Sequence, residues 1–152
     1  MNMERNNVNG KTVLIAGGAK NLGGLLTRDF ATKGAKLVIH YNSDSSKAEA
    51  EKTLADVQAV GADAILVQGD LTIVENITGL FDAAIDKFGG IDIAINTVGK
   101  VLKKPFVETS EAEYDSMSDI NSKVAYFFIR EAGKKLNDNG KICTIVTSLL
   151  AA

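Results

Sequence analysis

Short apolar runs alternate with longer amphipathic segments along the chain, and this alternation most constrains the fold. Most of the short runs are apolar on consecutive residues. Strands that are covered by helices on both faces have this composition, so the pattern predicts β-α-β units around a buried parallel sheet. The predicted strands are Thr12 to Ala16, Lys36 to Tyr41, Ala64 to Gln68, Ile91 to Asn96 and Lys141 to Thr147.

The segments between the strands repeat their apolar residues at spacings of three and four, which is typical of helices with one buried face. The pattern is clearest from Ile73 to Phe88, and it also predicts helices over Leu22 to Phe30 and about residues 46–60. A capping-box pattern at Ser110-Glu111-Ala112-Glu113 predicts a short fourth helix. A longer apolar helix is expected from about Ile120 to Ala132.

Right-handed crossovers would wind such a sheet outward from its first strand in both directions, in the order 3-2-1-4-5. We therefore predict an α/β fold, a Rossmann-like doubly wound parallel sheet, in one domain over residues 1–152. The fifth strand is then an apolar edge, which natural proteins normally cover. From this we expect the domain to be incomplete at its C-terminal end.

Charge and cysteine content exclude several classes of function. The chain has 17 Lys and Arg residues against 19 Asp and Glu residues and no dense basic block, so neither nucleic acid nor a membrane is expected as a partner. One cysteine, Cys143, and a polar start without a signal peptide predict a cytoplasmic protein. Cys143 is expected to be an inert core thiol. With one histidine and one cysteine, no metal site is predicted.

A glycine-rich loop joins the first predicted strand to the first predicted helix. Gly17, Gly18, Gly23 and Gly24 lie where backbone amides can approach a pyrophosphate at the positive end of a helix. A triphosphate-binding loop would need a lysine directly after its second glycine, and the chain has Gly24 there. The spacing also differs from G-x-G-x-x-G. The loop therefore predicts dinucleotide binding.

The loop resembles the T-G-x-x-x-G-I-G segment of the short-chain dehydrogenase/reductase family. Gly17 and Gly23 correspond to the outer glycines, and Leu22 to the isoleucine. Ala16 stands for the threonine, and Asn21 replaces the middle glycine. Asparagine tolerates left-handed backbone better than other residues with a side chain, so this replacement is compatible with the loop.

The resemblance continues in register along the chain. It implies cofactor contacts from segments after the third and fourth strands, and catalytic roles for a helix asparagine and a strand-end serine. Asp70 and Asn96 could instead simply turn the chain at strand ends. Asp70-Leu71-Thr72 matches the segment whose Asp contacts adenine in the family, and Asn96-Thr97-Val98-Gly99 resembles the family's N-N-A-G segment. Asn121 matches the family's helix asparagine, which would bend its helix around a relay water. Val146-Thr147-Ser148 matches the strand-end segment, and Ser148 would hydrogen-bond the substrate.

The family's NAD-selective members carry an acidic residue after the second strand, and this chain has Tyr41 there, followed by Asn42-Ser43. Without that carboxylate a 2′-phosphate is tolerated, and Lys20 in the glycine loop supplies a cation for it. The sequence therefore favours NADP(H) over NAD(H). Alternatively, Lys20 is a solvated cation and Asp44 binds the ribose. His40 is expected to be an adenine-side packing residue.

The resemblance implies an oxidoreductase of the EC 1.1.1 type that transfers hydride between nicotinamide and a small carbonyl or alcohol substrate. The family's Tyr-x-x-x-Lys pair follows the catalytic serine, and no tyrosine of this chain has a lysine four residues later. We therefore expect a chain truncated before the sixth and seventh strands, inactive alone, from a homodimer or homotetramer. The alternatives are a non-catalytic dinucleotide-binding module or a fragment without turnover.

Three lysines lie in the loop after the fourth predicted strand, where substrates of the family approach. They could attract an anionic group, although a solvated loop is the simpler interpretation. They are Lys100, Lys103 and Lys104.

Overall fold

Five parallel strands form the central sheet of the computed structural model, which describes residues 7–146. Their order across the sheet is β3-β2-β1-β4-β5, and each neighbouring pair runs parallel. The predicted α/β fold and strand order are confirmed. The strands are β1 (Thr12–Ala16), β2 (Lys36–Tyr41), β3 (Ala64–Gln68), β4 (Ile91–Asn96) and β5 (Leu136–Thr144).

The first four strands have the predicted bounds, whereas the fifth begins earlier, at Leu136. Its pairing with β4 is irregular, because Ile91 pairs with Leu136 but Ile93 pairs with Lys141. The extra residues of β5 between these pairs are polar residues and a glycine, so no apolar run marks them in the sequence. The strand also ends earlier than predicted, at Thr144, since Ile145 and Val146 are not part of it, and Thr147 itself lies outside the described residues.

Within residues 7–146, five α-helices connect the strands. A π-helical segment, Asp119–Lys123, joins the last two helices, and short 3-10 turns lie at Asp44–Ser46 and Phe106–Glu108. In the part of the chain that the structure describes, no helix has the length and apolarity needed to cross a membrane. The helices are α1 (Asn21–Thr32), α2 (Lys47–Ala59), α3 (Val74–Phe88), α4 (Glu111–Ser118) and α5 (Val124–Lys135).

The predicted capping box starts α4. The Ser110 hydroxyl accepts a hydrogen bond from the Glu113 amide, and the Glu113 carboxylate accepts one from the Ser110 amide. The Glu113 carboxylate also accepts two hydrogen bonds from Lys104, at 3.0 and 2.9 Å. Hydrogen bonds from the Ser110 amide, then from Lys104 and the Ser110 hydroxyl, lower the pKa of Glu113 to about 2. Lys104 is therefore engaged in an ion pair and is not a free loop cation.

Two apolar clusters cover the two faces of the sheet, and both include residues of β1. Leu14 of β1 packs with α3 and α5 in one cluster, where the rings of Phe81 and Phe128 meet edge to face. Val13 and Ile15 lie in the other cluster, beneath α1 and α2. Successive strand residues point to opposite faces, so β1 is buried along its whole length. β1 and β4 are parallel neighbours at the point where the strand order reverses, so the loops that follow them lie side by side.

The edge strand β5 corrects one prediction. Cys143 is exposed, so the prediction of a core thiol is wrong. Cys143 pairs with Ile95 of β4, whereas α1 and α2 pack over β1, β2 and β3. An apolar strand at the edge of a sheet is buried only as far as the helix layers extend, which the local sequence does not reveal.

Candidate functional site

The loops that follow β1, β2 and β4 surround a cleft of about 260 Å³ at the carboxyl edge of the sheet. Ligands of doubly wound sheets bind at this switch point. Most of the residues predicted to contact a cofactor line the cleft; those that do not are Gly18, Gly24, Ser43, Asp70, Thr72 and Asn96. The lining residues are Gly17, Ala19, Lys20, Asn21, Leu22, Gly23, His40, Tyr41, Asn42, Ser46, Leu71, Thr97, Val98, Gly99 and Ile120.

Close packing within the glycine loop explains its composition. Gly17 has a φ of 74° and Asn21 a φ of 50°, so the asparagine that replaces the family's middle glycine adopts left-handed backbone. A Cβ atom at Gly23 would overlap the carbonyl oxygen of Gly17, and one at Gly17 would lie 2.7 Å from Thr97 Oγ1. Gly23 is therefore required by its contact with the Gly17 carbonyl, and Gly17 by its left-handed backbone and its contact with Thr97.

Buried threonine hydroxyls hold the loop from behind. Thr27 Oγ1 lies within hydrogen-bonding distance of two carbonyl oxygens, 2.8 Å from Gly18 and 2.9 Å from Gly23. Thr53 Oγ1 donates a hydrogen bond to the carbonyl of Ala19 at 2.7 Å. These contacts engage carbonyl groups of the loop. The Gly17 and Gly18 amides donate to His40 and to the Ile15 carbonyl, so the amides that remain for the cleft are those at the start of α1.

The first turn of α1 provides those amides. Its N-cap residue, Lys20, makes no side-chain capping hydrogen bond. The first amides of a helix have no partner within the helix, and together with the helix dipole they attract an anion. The cleft thus presents unsatisfied amide donors at a place where a pyrophosphate can reach them.

Thr97 ties the end of β4 to the end of β1. Its amide and its hydroxyl both donate hydrogen bonds to the carbonyl of Ala16, at 3.0 and 2.8 Å. Buried Asn96 accepts a hydrogen bond from the Val98 amide at 3.0 Å, so its side chain forms the turn after the strand. Thr97 was not predicted as a site residue. The signal in the sequence was that a threonine stands there in place of the second asparagine of the family's N-N-A-G segment.

The polar groups at the predicted ribose end of the cleft are only partly free. Lys20 Nζ lies 3.4 Å from the Glu49 carboxylate of α2, and both side chains are about half exposed. The Tyr41 hydroxyl donates to Gln68 at 3.1 Å, and Gln68 in turn donates to Asp44 at 3.2 Å. Ser43 lies 3.0 Å from the hydroxyl of Ser45 and does not line the cleft. Ser46, which does line it and is buried, was not predicted.

The Asp70 side chain stabilises the turn after β3, which was the alternative to a contact with the cofactor. Its carboxylate accepts hydrogen bonds from the amide and the hydroxyl of Thr72, at 2.9 and 2.7 Å. It lines a neighbouring groove that also contains Asn42 and Asp119. The next residue, Leu71, is buried and lines the cleft itself. Contact between Asp70 and adenine stays a prediction.

His40 is buried in the floor of the cleft and is bonded to the glycine loop. Its Nδ1 accepts a hydrogen bond from the Gly17 amide at 3.0 Å, and its Nε2 lies 2.7 Å from the carbonyl oxygen of Gly69. Burial lowers the pKa of His40, although the Gly69 carbonyl and the Asp70 carboxylate act in the opposite direction. The expected packing residue therefore also makes specific hydrogen bonds to two chain segments.

Asn121 lies in the π-helical segment and holds the loop after β4. Its Oδ1 accepts a hydrogen bond from the Lys100 amide, and its Nδ2 donates to the carbonyls of Lys100 and Met117, with distances of 2.9 to 3.0 Å. A second cleft of about 390 Å³ extends from Asn96 to Asn121 and Val146. The predicted catalytic Ser148 lies outside the described residues.

A family model described as enoyl-(acyl carrier protein) reductase matches residues 17–152. The chain is also 33% identical over 135 residues to a short-chain dehydrogenase/reductase from Pestalotiopsis microspora, covering 89% of this chain and 50% of that relative. The chain belongs to the short-chain dehydrogenase/reductase family. The family resemblance predicted from the sequence is therefore confirmed.

Solved structures of relatives agree with this assignment. A dehydrogenase from Burkholderia cenocepacia with bound NADP is 62% identical, with a TM-score of 0.92 over 96% of this chain and 56% of that one. A short-chain dehydrogenase from Oenococcus oeni is 52% identical, with a TM-score of 0.84 over 96% and 66% of the two chains. The chain spans about half the length of the curated short-chain dehydrogenases it matches. The chain is thus related to dehydrogenases and reductases.

Proposed function

We propose that this chain supplies the dinucleotide-binding part of an NADP(H)-dependent oxidoreductase acting on a carbonyl or alcohol substrate. The observation that carries the proposal is the cleft in which uncapped amides of α1 face the switch point of the sheet. The pyrophosphate would bind these amides between Gly17 and Gly23. The bound dinucleotide would supply or accept the hydride, and the second cleft, beside Asn121, would hold the substrate.

The preference for NADP(H) rests on the side chains at the end of β2. Tyr41 replaces the carboxylate that would repel a 2′-phosphate, and Lys20 and Asn42 line the same end of the cleft. The contact between Lys20 and Glu49 opposes phosphate binding only weakly, because exposed ion pairs contribute about 0 to 1 kcal/mol. The Burkholderia cenocepacia relative with bound NADP supports this preference.

Catalysis is proposed for the full-length protein rather than for these residues alone. Ser148 would hydrogen-bond the substrate oxygen, and Asn121 would position the loop after β4 and the backbone around a relay water. No Tyr-x-x-x-Lys pair occurs in the 152 residues, so we expect the isolated chain to be inactive. We expect the full-length protein to form a homo-oligomer.

Calorimetric titration of the full-length protein with NADP⁺ and with NAD⁺ tests the proposal. We expect both to bind, with NADP⁺ the tighter ligand, and NADPH to be oxidised with at least one member of a panel of aldehydes and ketones. Binding without turnover would favour the alternative of a non-catalytic module. Absence of binding by either dinucleotide would refute the proposed function.

A further inference from the structure

His40 connects three segments at the floor of the cleft. It lies in β2, accepts a hydrogen bond from the first amide of the glycine loop and contacts the carbonyl at the end of β3. The ring is almost fully buried, so water does not compete for either nitrogen. Both partners are backbone groups, and their positions are set by β1 and β3 rather than by flexible side chains.

These two partners select one form of the imidazole. The Gly17 amide can only donate, so Nδ1 must carry a lone pair. The Gly69 carbonyl can only accept, so Nε2 must carry the proton. The neutral Nε2–H tautomer satisfies both groups, whereas imidazolium would direct a second N–H at the Gly17 amide. Protonation therefore breaks the contact that holds Gly17.

Gly17 lies between two close neighbours, Gly23 and Thr97. Its carbonyl lies against Gly23, and its Cα lies beside Thr97. Movement of Gly17 would therefore shift the start of α1, where the proposed pyrophosphate site lies.

We propose that His40 is a positioning residue for dinucleotide binding: its neutral Nε2–H form holds Gly17 in the phosphate-binding conformation, and its protonation releases the loop and weakens binding. The inference rests on the proposed function. Among the described residues, the charged group that acts on the ring is Asp70, whose carboxylate raises the pKa of His40. Burial lowers that pKa, and the effect of burial is the larger one. Release is consequently expected below pH 6.5, the usual pKa of histidine.

The experiment measures the dissociation constants of NADP⁺ and NAD⁺ for the full-length protein by calorimetry from about pH 5 to pH 8. NAD⁺ is included because a phosphate monoester itself titrates near pH 6. Three proteins are compared: wild type, His40→Asn, whose Oδ1 can accept from the Gly17 amide but cannot titrate, and His40→Leu, which has no acceptor. Thermal denaturation at pH 8 monitors folding.

For the wild type we expect both dissociation constants to rise below the His40 pKa by up to about tenfold per pH unit, the limit for one linked proton. His40→Asn should bind within about threefold of wild type at pH 8, and its affinity for NAD⁺ should not change with pH. His40→Leu should bind at least about tenfold more weakly at all pH values, because the half-buried Gly17 amide loses the acceptor that holds it.

Three outcomes separate the inference from the proposed function. Wild type that binds NAD⁺ with constant affinity over the pH range overturns the role of His40, and this result does not depend on whether a variant folds. His40→Asn with the wild-type pH profile also overturns it. Wild type that binds neither dinucleotide at pH 8 refutes the proposed function itself.

Discussion

Replacing Gly23 by alanine should weaken dinucleotide binding by at least about a hundredfold while leaving the protein folded. The new Cβ would overlap the Gly17 carbonyl oxygen and lie 2.9 Å from Thr97 Oγ1. Neither neighbour can move freely, because the first is backbone held through His40 and the second is bonded to Ala16. The overlap can be relieved only by displacing the loop, which we expect to cost about 1 to 3 kcal/mol of folding free energy.

The loss of affinity should be larger than the loss of stability. Hydrogen bonds to charged groups contribute about 1.5 to 3 kcal/mol each. If the shifted loop loses two amide contacts to the pyrophosphate, binding weakens by about 3 to 6 kcal/mol, which is at least about a hundredfold in dissociation constant. Calorimetric titration of NADP⁺ into the full-length variant at pH 8 measures this change.

Gly79→Ala is the matched control. Gly79 lies in α3, and a Cβ there would meet no atom within 4 Å. Alanine is favoured over glycine inside a helix by up to about 1 kcal/mol, so this variant should bind as wild type and be equally or more stable. The steric reasoning fails if Gly23→Ala binds NADP⁺ within threefold of wild type.

Three further predictions follow from other contacts. Lys20→Ala should weaken binding of NADP⁺ by about tenfold and of NAD⁺ by less than twofold in parallel titrations, since a charge-assisted contact to the 2′-phosphate is lost; equal losses would argue against the proposed cofactor preference. Asn121→Ala should lower the free energy of unfolding by about 0.5 to 1.5 kcal/mol in urea titrations, because the loop after β4 loses its hydrogen bonds to the Asn121 side chain; an unchanged midpoint would contradict this. The folded-state pKa of Glu113 is about 2, below its usual 4.5, so its stabilising contribution is present above pH 4.5 and is lost as the pH falls toward 2; Glu113→Gln should therefore show a shallower acid dependence of its melting temperature.

Local signals in the sequence determined the elements of this fold. The apolar runs of β1 to β4 have the predicted bounds, and the capping box at Ser110 starts α4 as expected. The strand order follows from the handedness of crossovers between consecutive strands. The glycine positions and the left-handed Asn21 were also predictable, since they reflect backbone geometry within one loop.

Contacts between distant segments were decided only by the tertiary structure. The bonds of His40 to Gly17 and Gly69, of Thr97 to Ala16, and of Lys20 to Glu49 join residues from different β-α units. The exposure of Cys143 and the early start of β5 likewise depend on how far each helix layer extends and on the pairing with β4. A hydrogen bond depends on the distance and angle between two groups. For groups in different β-α units, the packing of the whole sheet sets that distance and angle, and no local sequence pattern shows them.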